Sequence, residues 1–365
     1  MAERLLPENL NFDGPFPRLS RRLRLGVVGG GRISVTQATA ARMTDRWEVA
    51  AGALSSDAAR SKARGAEWFL PADRCYASFD EMAKAEAARP DGVDAVMITT
   101  PNHVHFDAAK AFLEAGIDVL CDKPLTNEVA EAEGIEEITA RTGQVFAVGY
   151  AMSCFPVIRQ AKQIVSEGGI GKINQIHVEF MQDWMTPEDV ADAPHVKWRL
   201  DPKISGPTSC VGDIGTHAAH LASFVSGLPM TNLRAEFHVC GAPKPLEDTV
   251  FMFTRYQNEM PGTVMATRLA PGNRGGLRLR IFGSEGAQAD SRLMGGGKNG
   301  LKSSRAEALD DAERQAGRVR ELEAALEDAR VKLRAKGRAS IAEMTVAQFE
   351  AARMARELAI ATVGV

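Results

Sequence analysis

Leu23-Arg24-Leu25-Gly26-Val27-Val28-Gly29-Gly30-Gly31-Arg32-Ile33-Ser34 is the stretch on which the fold turns. A short apolar run ends in three glycines, and a helical pattern opens at Arg32. The letters fit GxGxxG at Gly29 and Gly31, with Ser34 in the third place. In a strand–turn–helix of this kind the first glycine permits a tight turn. The second lets the backbone approach a pyrophosphate, which then sits on the helix N-terminus with Arg32 and Ile33 beside it. The third eases helix–strand packing, where serine is a small loss. The alternative is a plain glycine turn that binds nothing, and the surrounding pattern argues against it.

Outward from this loop, apolar runs and helical patterns alternate to about residue 150. Strands are expected at Trp47–Leu54, Val93–Thr99, Asp118–Cys121 and Val145–Val148, and helices at Asp57–Ala66, Phe106–Ala115 and Glu128–Thr142. Such alternation implies a parallel sheet with helices on both faces. The second half has another rhythm. A helix is expected at Phe155–Glu167, then strands at Ile173–Met181, Leu233–Cys240, Thr249–Arg255, Gly262–Arg268 and Leu277–Gly283, with one helix, Gly212–Val225, among them. Several strands alternate with period two and follow one another without helices, so this sheet should be largely antiparallel. The expected fold is an α/β Rossmann domain over residues 23–150, then an α+β domain with a largely antiparallel open sheet over residues 151–290. Residues 1–22 read as an irregular arm. Residues 291–365 read as a divergent, helical tail, in which Val319, Leu322, Leu326, Ala329 and Leu333 share one face.

Composition excludes several functions. The 365 residues carry a formal net charge of -3, so no global field gathers nucleic acid or an anionic membrane. Five cysteines without a CxxC pair argue against a zinc ribbon or a disulfide framework and fit a reducing, cytoplasmic setting. No stretch approaches the roughly 18 apolar residues of a membrane span. Ser20-Arg21-Arg22-Leu23-Arg24-Leu25 looks like a twin-arginine export signal, but the apolar run after it is short and broken by Arg32. The segment reads as the charged approach to the first strand.

Cofactor choice stays open. The acidic residue that would hold the ribose 2′-hydroxyl belongs at the end of the second strand, about 20 residues beyond the loop. Ser55 occupies that place, followed by Ser56 and Asp57, with Arg60 one turn further. Loss of the carboxylate removes a repulsion against NADP, so NAD and NADP both remain. Arg60 reads equally as a plain surface residue.

Three further motifs carry a resemblance. Thr100-Pro101-Asn102-His103-Val104-His105 ends a strand, Asp122-Lys123-Pro124 ends the next, and Gly212-Asp213-Ile214-Gly215-Thr216-His217 opens a helix in the second half. In this order the chain resembles the glucose–fructose oxidoreductase / inositol dehydrogenase / rhizopine-catabolism (Gfo/Idh/MocA) family, from about residue 22 to about residue 290. The stretch from Val178 to Trp184, with Trp198-Arg199 and Asp201-Pro202, looks like the branch acting on anhydroglucose and glucosides. The resemblance implies NAD or NADP and a secondary carbinol of a sugar or cyclitol. It carries the catalytic lysine to Lys123, with Asp122 for the family's glutamate, and the paired aspartate and histidine to Asp213 and His217. Thr100, Pro101, Asn102 and His105 become positions lining the nicotinamide side. A homodimer or homotetramer is expected by the same analogy.

These residue types suit the chemistry. Oxidising a secondary alcohol sends a hydride to the cofactor while the hydroxyl proton goes to a base. A lysine partly buried beside a positively charged nicotinamide should titrate below its usual range. Asp213 and His217, four apart on a helix, should share a face, with Asp213 stabilising a charged His217. The alternative is a structural pair in which Asp213 caps the helix. His220 reads as packing. Gln182, Asp183, Trp184, Trp198 and Arg199 are substrate candidates, since Trp faces stack on pyranose rings and polar groups pair with hydroxyls. Both tryptophans read equally as core. Tyr150, at the domain junction, is expected to line the cleft. His103, His105, Asp213, His217 and His220 can be drawn as a metal cluster, but HxH is a weak signal and no metal is expected. Two rival functions remain: a lyase or glycosidase using bound NAD without net redox change, and a non-catalytic nucleotide- and sugar-binding regulator.

Overall fold

The computed structural model describes residues 19–187, 190, 193–273 and 275–290. The expected tail and most of the expected arm lie outside the described residues.

The first half forms β1 (Leu23–Val28), α1 (Arg32–Met43), β2 (Trp47–Ala53), α2 (Ala58–Glu67), α3 (Phe79–Ala87), β3 (Ala95–Ile98), α4 (His105–Glu114), β4 (Asp118–Cys121), α5 (Val129–Thr142) and β5 (Phe146–Val148). The five strands pair in parallel in the order β2-β1-β3-β4-β5. The chain leaves β1 towards β2 and returns on the other side at β3. The carboxyl ends of β1 and β3 therefore flank the switch point where doubly wound sheets bind ligands. Val27, Val28, Val96 and Ile98 are buried because helices cover both faces, which explains the unbroken apolar runs.

The sequence reading missed α3. Its run of small residues, Ala83-Lys84-Ala85-Glu86-Ala87, carries little apolar contrast. The helix is fixed instead by polar groups. Ser78 Oγ accepts from Glu81 N at 3.1 Å, and Glu86 is buried among donors. Its carboxylate accepts from Tyr76 OH at 2.7 Å, Arg74 Nε at 3.0 Å and Val93 N at 3.1 Å.

The second half contains α6 (Pro156–Ser166), β6 (Ile173–Met181), two short helices α7 (Pro194–Lys197) and α8 (Pro202–Ser205), α9 (Thr216–Ser226), β7 (Met230–His238), β8 (Thr249–Tyr256), β9 (Met260–Thr267), β10 (Gly276–Gly283) and β11 (Ala287–Asp290). The sheet order is β11-β10-β6-β9-β8-β7. Every pair is antiparallel except β6 with β9. Helices α6 and α9 cover one face, where Ile158, Leu221, Ile176, Val250 and Val264 form the core. Strand β11 was not foreseen, and β7 starts earlier than expected. The expected helix from Gly212 begins with a π turn, Val211–Gly215, before the regular α9. A π turn holds more residues than an α turn, so a spacing of four across it no longer places two side chains on one face.

Glu86→Ala is expected to lose about 3 kcal/mol of stability, because it strips the buried Arg74 and Tyr76 of their shared acceptor and leaves Arg74 only the longer contact to Asp91 at 3.6 Å. The urea unfolding midpoint checks this.

Candidate active site

One cavity of about 1290 Å³ opens at the carboxyl ends of the first sheet and runs to the start of the second half. Of the residues expected on the cofactor side, Gly29, Gly31, Arg32, Ile33, Ser55, Ser56, Arg60, Thr100, Pro101, Asn102, Asp122 and Lys123 line it. Of those expected on the substrate side, Trp198, Arg199 and Asp213 line it, and so does Trp184. Arg64 and Ser205 line it without having been foreseen.

The glycine loop has the shape a diphosphate needs. Gly29 has φ +100, and a Cβ there would come 2.9 Å from Thr99 O, so only glycine serves. A Cβ on Gly31 meets nothing within 4 Å. That residue is the N-cap of α1, with no side-chain cap and no acidic residue in the first turn. The first amide N–H groups of α1 therefore face the cavity without an intrahelical partner, as an anion requires. Ser34, in the third glycine place, is buried and its hydroxyl pairs with Thr99 Oγ1 at 2.7 Å.

Strand β4 delivers Lys123 to the same cavity, and the π turn delivers Asp213. Lys123 Nζ donates to Asp213 Oδ1 at 2.7 Å and to the Asp213 carbonyl at 2.9 Å. Asp213 Oδ2 lies 3.0 Å from Arg268 Nη2 and 3.5 Å from Arg199 Nε. Burial works against this carboxylate, but the charges of Lys123, Arg268 and Arg199 outweigh it and hold Asp213 well below the usual carboxyl range. Arg268 is 0% exposed. It donates to Ser209 Oγ and Ser209 O, both at 2.6 Å, and lies 5.1 Å over the Trp184 ring. Glu247 fixes this corner by accepting from Ser209 N and Val211 N. The sequence reading ended a strand at Arg268 without giving it a role. The signal was present: period two puts Arg268 on the inward face with Val264 and Ala266.

His217 corrects the expected pairing. The π turn directs Asp213 to Lys123, not to the imidazole. His217 is 7% exposed, and its Nδ1 is buried without a hydrogen-bond partner. Burial first, then the nearby Lys123 charge, lowers its pKa to about 4, so the ring is neutral at pH 7 rather than charged. His217 does not line the cavity, but it lies near enough to Lys123 for that charge to act on it.

Other expectations also change. His105 does not line the cavity. It is buried, with Nδ1 2.8 Å from Pro124 O and Nε2 3.0 Å from Thr100 O, and pins the two strand-end loops together. Burial lowers its pKa, against the two carbonyls and the Asp122 charge, which favour the protonated ring. Tyr150 stacks on His220 at 4.2 Å and meets His217 edge-on at 5.7 Å, which makes it a wall behind the imidazole rather than a cavity residue. Gln182 accepts from Trp184 Nε1 at 2.6 Å and orients that ring. Neither Gln182 nor Asp183 lines the cavity. Asn102 Nδ2 donates to Ser205 O at 2.8 Å, a second tie between the halves. Burial raises the Asp122 carboxyl despite Lys123 beside it. Among the described residues there is no group of three or more His, Cys, Asp or Glu side chains placed to hold a metal, and no helix is long and apolar enough to cross a membrane.

Residues 23–150 match the model of an oxidoreductase family with an NAD-binding Rossmann fold, and residues 158–288 match the GFO/IDH/MocA C-terminal domain. YfiI, an uncharacterized oxidoreductase of Bacillus subtilis, is 32% identical over 73% of this chain and 70% of its own length. The levoglucosan dehydrogenase of Pseudarthrobacter phenanthrenivorans is 28% identical over 60% of this chain and 64% of its own length. The crystal structure of an inositol dehydrogenase homolog complexed with NAD+ from Azotobacter vinelandii matches with a TM-score of 0.70 at 29% identity, covering 76% of this chain and 78% of that one.

Gly31→Val is expected to cost about 1 kcal/mol of stability, since valine is a poor N-cap even where the position is open, and to weaken dinucleotide binding more than about tenfold; urea unfolding and calorimetric titration check the two halves. The His217 pKa of about 4 stands against 6.5 for an ordinary histidine. Between those values the unfolded chain binds the extra proton, so stability falls as pH drops through this window. His217→Asn is expected to reduce the loss between pH 7 and pH 4.5 by about 2 kcal/mol, read from urea unfolding at both pH values.

Proposed function

This chain belongs to the Gfo/Idh/MocA family of oxidoreductases, and we propose that it moves a hydride between a nicotinamide dinucleotide and a secondary hydroxyl of a sugar, glycoside or cyclic polyol. One observation carries the reading. Lys123, held by Asp213 from the other half of the molecule, stands in the wall of the cavity that also contains the Gly29–Gly31 loop. A levoglucosan dehydrogenase and an inositol dehydrogenase homolog among the relatives agree with a polyhydroxylated substrate.

The nicotinamide supplies the hydride acceptor or donor; the chain supplies position and proton transfer. In the oxidising direction the substrate hydroxyl sits between Lys123 Nζ and the His217 ring. His217, neutral at pH 7, takes the hydroxyl proton. Lys123 donates a hydrogen bond to the oxygen as negative charge grows on it. Asp213 keeps the amine aimed and takes no proton itself, because three cations hold it ionised. Trp184 and Trp198 offer apolar faces to a sugar ring, and Arg199 offers donors to its hydroxyls. The outer face of the second sheet, with Phe251 and Phe253 exposed, gives a homo-oligomer a surface on which to form.

A panel of sugars and inositols offered with each nicotinamide dinucleotide tests the reading through nicotinamide absorbance. At least one member should drive steady cofactor reduction. His217→Asn and Lys123→Met are each expected to lower kcat/KM by about 10²–10⁴-fold. Undiminished turnover in His217→Asn overturns the role given to the imidazole. Release of an aglycone without net cofactor reduction overturns the dehydrogenase in favour of a redox lyase.

A further inference from the structure

The part of the cavity wall around the glycine loop carries three arginines, Arg32, Arg60 and Arg64. Strand β2 leads through Leu54, Ser55 and Ser56 to Asp57. A carboxylate at the end of such a strand ordinarily accepts from the ribose hydroxyls. Here that place is Ser55, whose Oγ accepts from Asp57 N at 3.2 Å. The nearby carboxylate of Asp57 is turned to the helix end, where Oδ1 accepts from Arg60 N at 2.7 Å. The two carboxylates of the cavity wall, Asp122 and Asp213, belong to the Lys123 end.

Two arginines stand where the acid is missing. Arg60 and Arg64 both line the cavity, and four residues apart on α2 they share a face. Like charges at that spacing disfavour a helix unless an anion lies between them. Among the described residues neither makes an ion pair. Arg64 crosses the loop itself: a Cβ on Gly30 would come 2.6 Å from its Nη1 and 2.2 Å from Leu54 O. The guanidinium thus lies between the turn that seats the diphosphate and the loop that meets the ribose.

We propose that the site selects the 2′-phosphorylated dinucleotide, NADP(H), with the hydroxyls of Ser55 and Ser56 and the guanidinium groups of Arg60 and Arg64 around the 2′-phosphate. This rests on the reading of the cavity as a nicotinamide dinucleotide site. It adds the chemistry of the third phosphate, which the planar guanidinium fork matches.

The test is calorimetric titration of the full chain with adenosine 2′,5′-bisphosphate and adenosine 5′-monophosphate, which differ only in the 2′-phosphate, followed by NADP+ and NAD+. The bisphosphate is expected to bind about ten- to a hundredfold more tightly, with the margin shrinking as salt rises. Arg60→Ala and Arg64→Ala are each expected to reduce that preference by about tenfold, with circular dichroism verifying that the fold is kept. Equal affinity for the two nucleotides in the parent chain overturns the proposal while leaving a dinucleotide site standing. So does a preference that survives both substitutions. Failure of NAD+ and NADP+ alike to bind overturns the dinucleotide reading, and this proposal with it.

Discussion

The site depends on a single carboxylate shared by three cations. Asp213 receives Lys123 from the first sheet, Arg268 from the end of β9 and Arg199 from the segment between β6 and α9. Bringing such groups out of water costs several kcal/mol per ion, and their attraction repays this only with close geometry. The arrangement is therefore poor evidence of stability and good evidence of position. It fixes one amine, from one half of the molecule, against a turn of the other half.

Charge then sets the chemistry. With the carboxylate outnumbered, the cleft keeps an excess of positive charge where the proposed reaction would develop an alkoxide. Fixed charges of that sign, placed before the reaction, stabilise a developing alkoxide without reorganisation. Burial against Tyr150 and Phe180 keeps His217 neutral, and the Lys123 charge adds to it. In the proposed reaction a neutral imidazole would exchange the proton and a paired ammonium would hold the oxygen. At the far end Arg32, Arg60 and Arg64 give the cavity the same sign where phosphates belong.

Much of this was legible in the chain. The run Leu23–Val28 into three glycines announced both the parallel sheet and its ligand edge, because apolar continuity and glycine placement are local properties. Lys123 could be placed because it ends a strand next to the switch point. Other features depended on contacts between distant segments. Asp213 and His217 look paired at a spacing of four, yet the π turn between them separates their roles. His105 has the letters of a cavity residue but spends its ring on two carbonyls. Tyr150 sits at the junction but faces histidines. Period two puts Arg268 on the inward face, but its role depends on Ser209 and Asp213, which come from distant segments. Helix α3 escaped because polar anchors at Ser78 and Glu86, not an apolar stripe, hold it.

A double-mutant cycle on Lys123 and Asp213 measures the central ion pair most directly. Lys123→Met, Asp213→Asn and the double variant would be unfolded in urea beside the parent chain. A coupling energy of about 1.5 kcal/mol or more is expected if the carboxylate of one half holds the amine of the other. Effects that add to within about 0.5 kcal/mol would show two independent groups, and would contradict a reaction centre built on their contact.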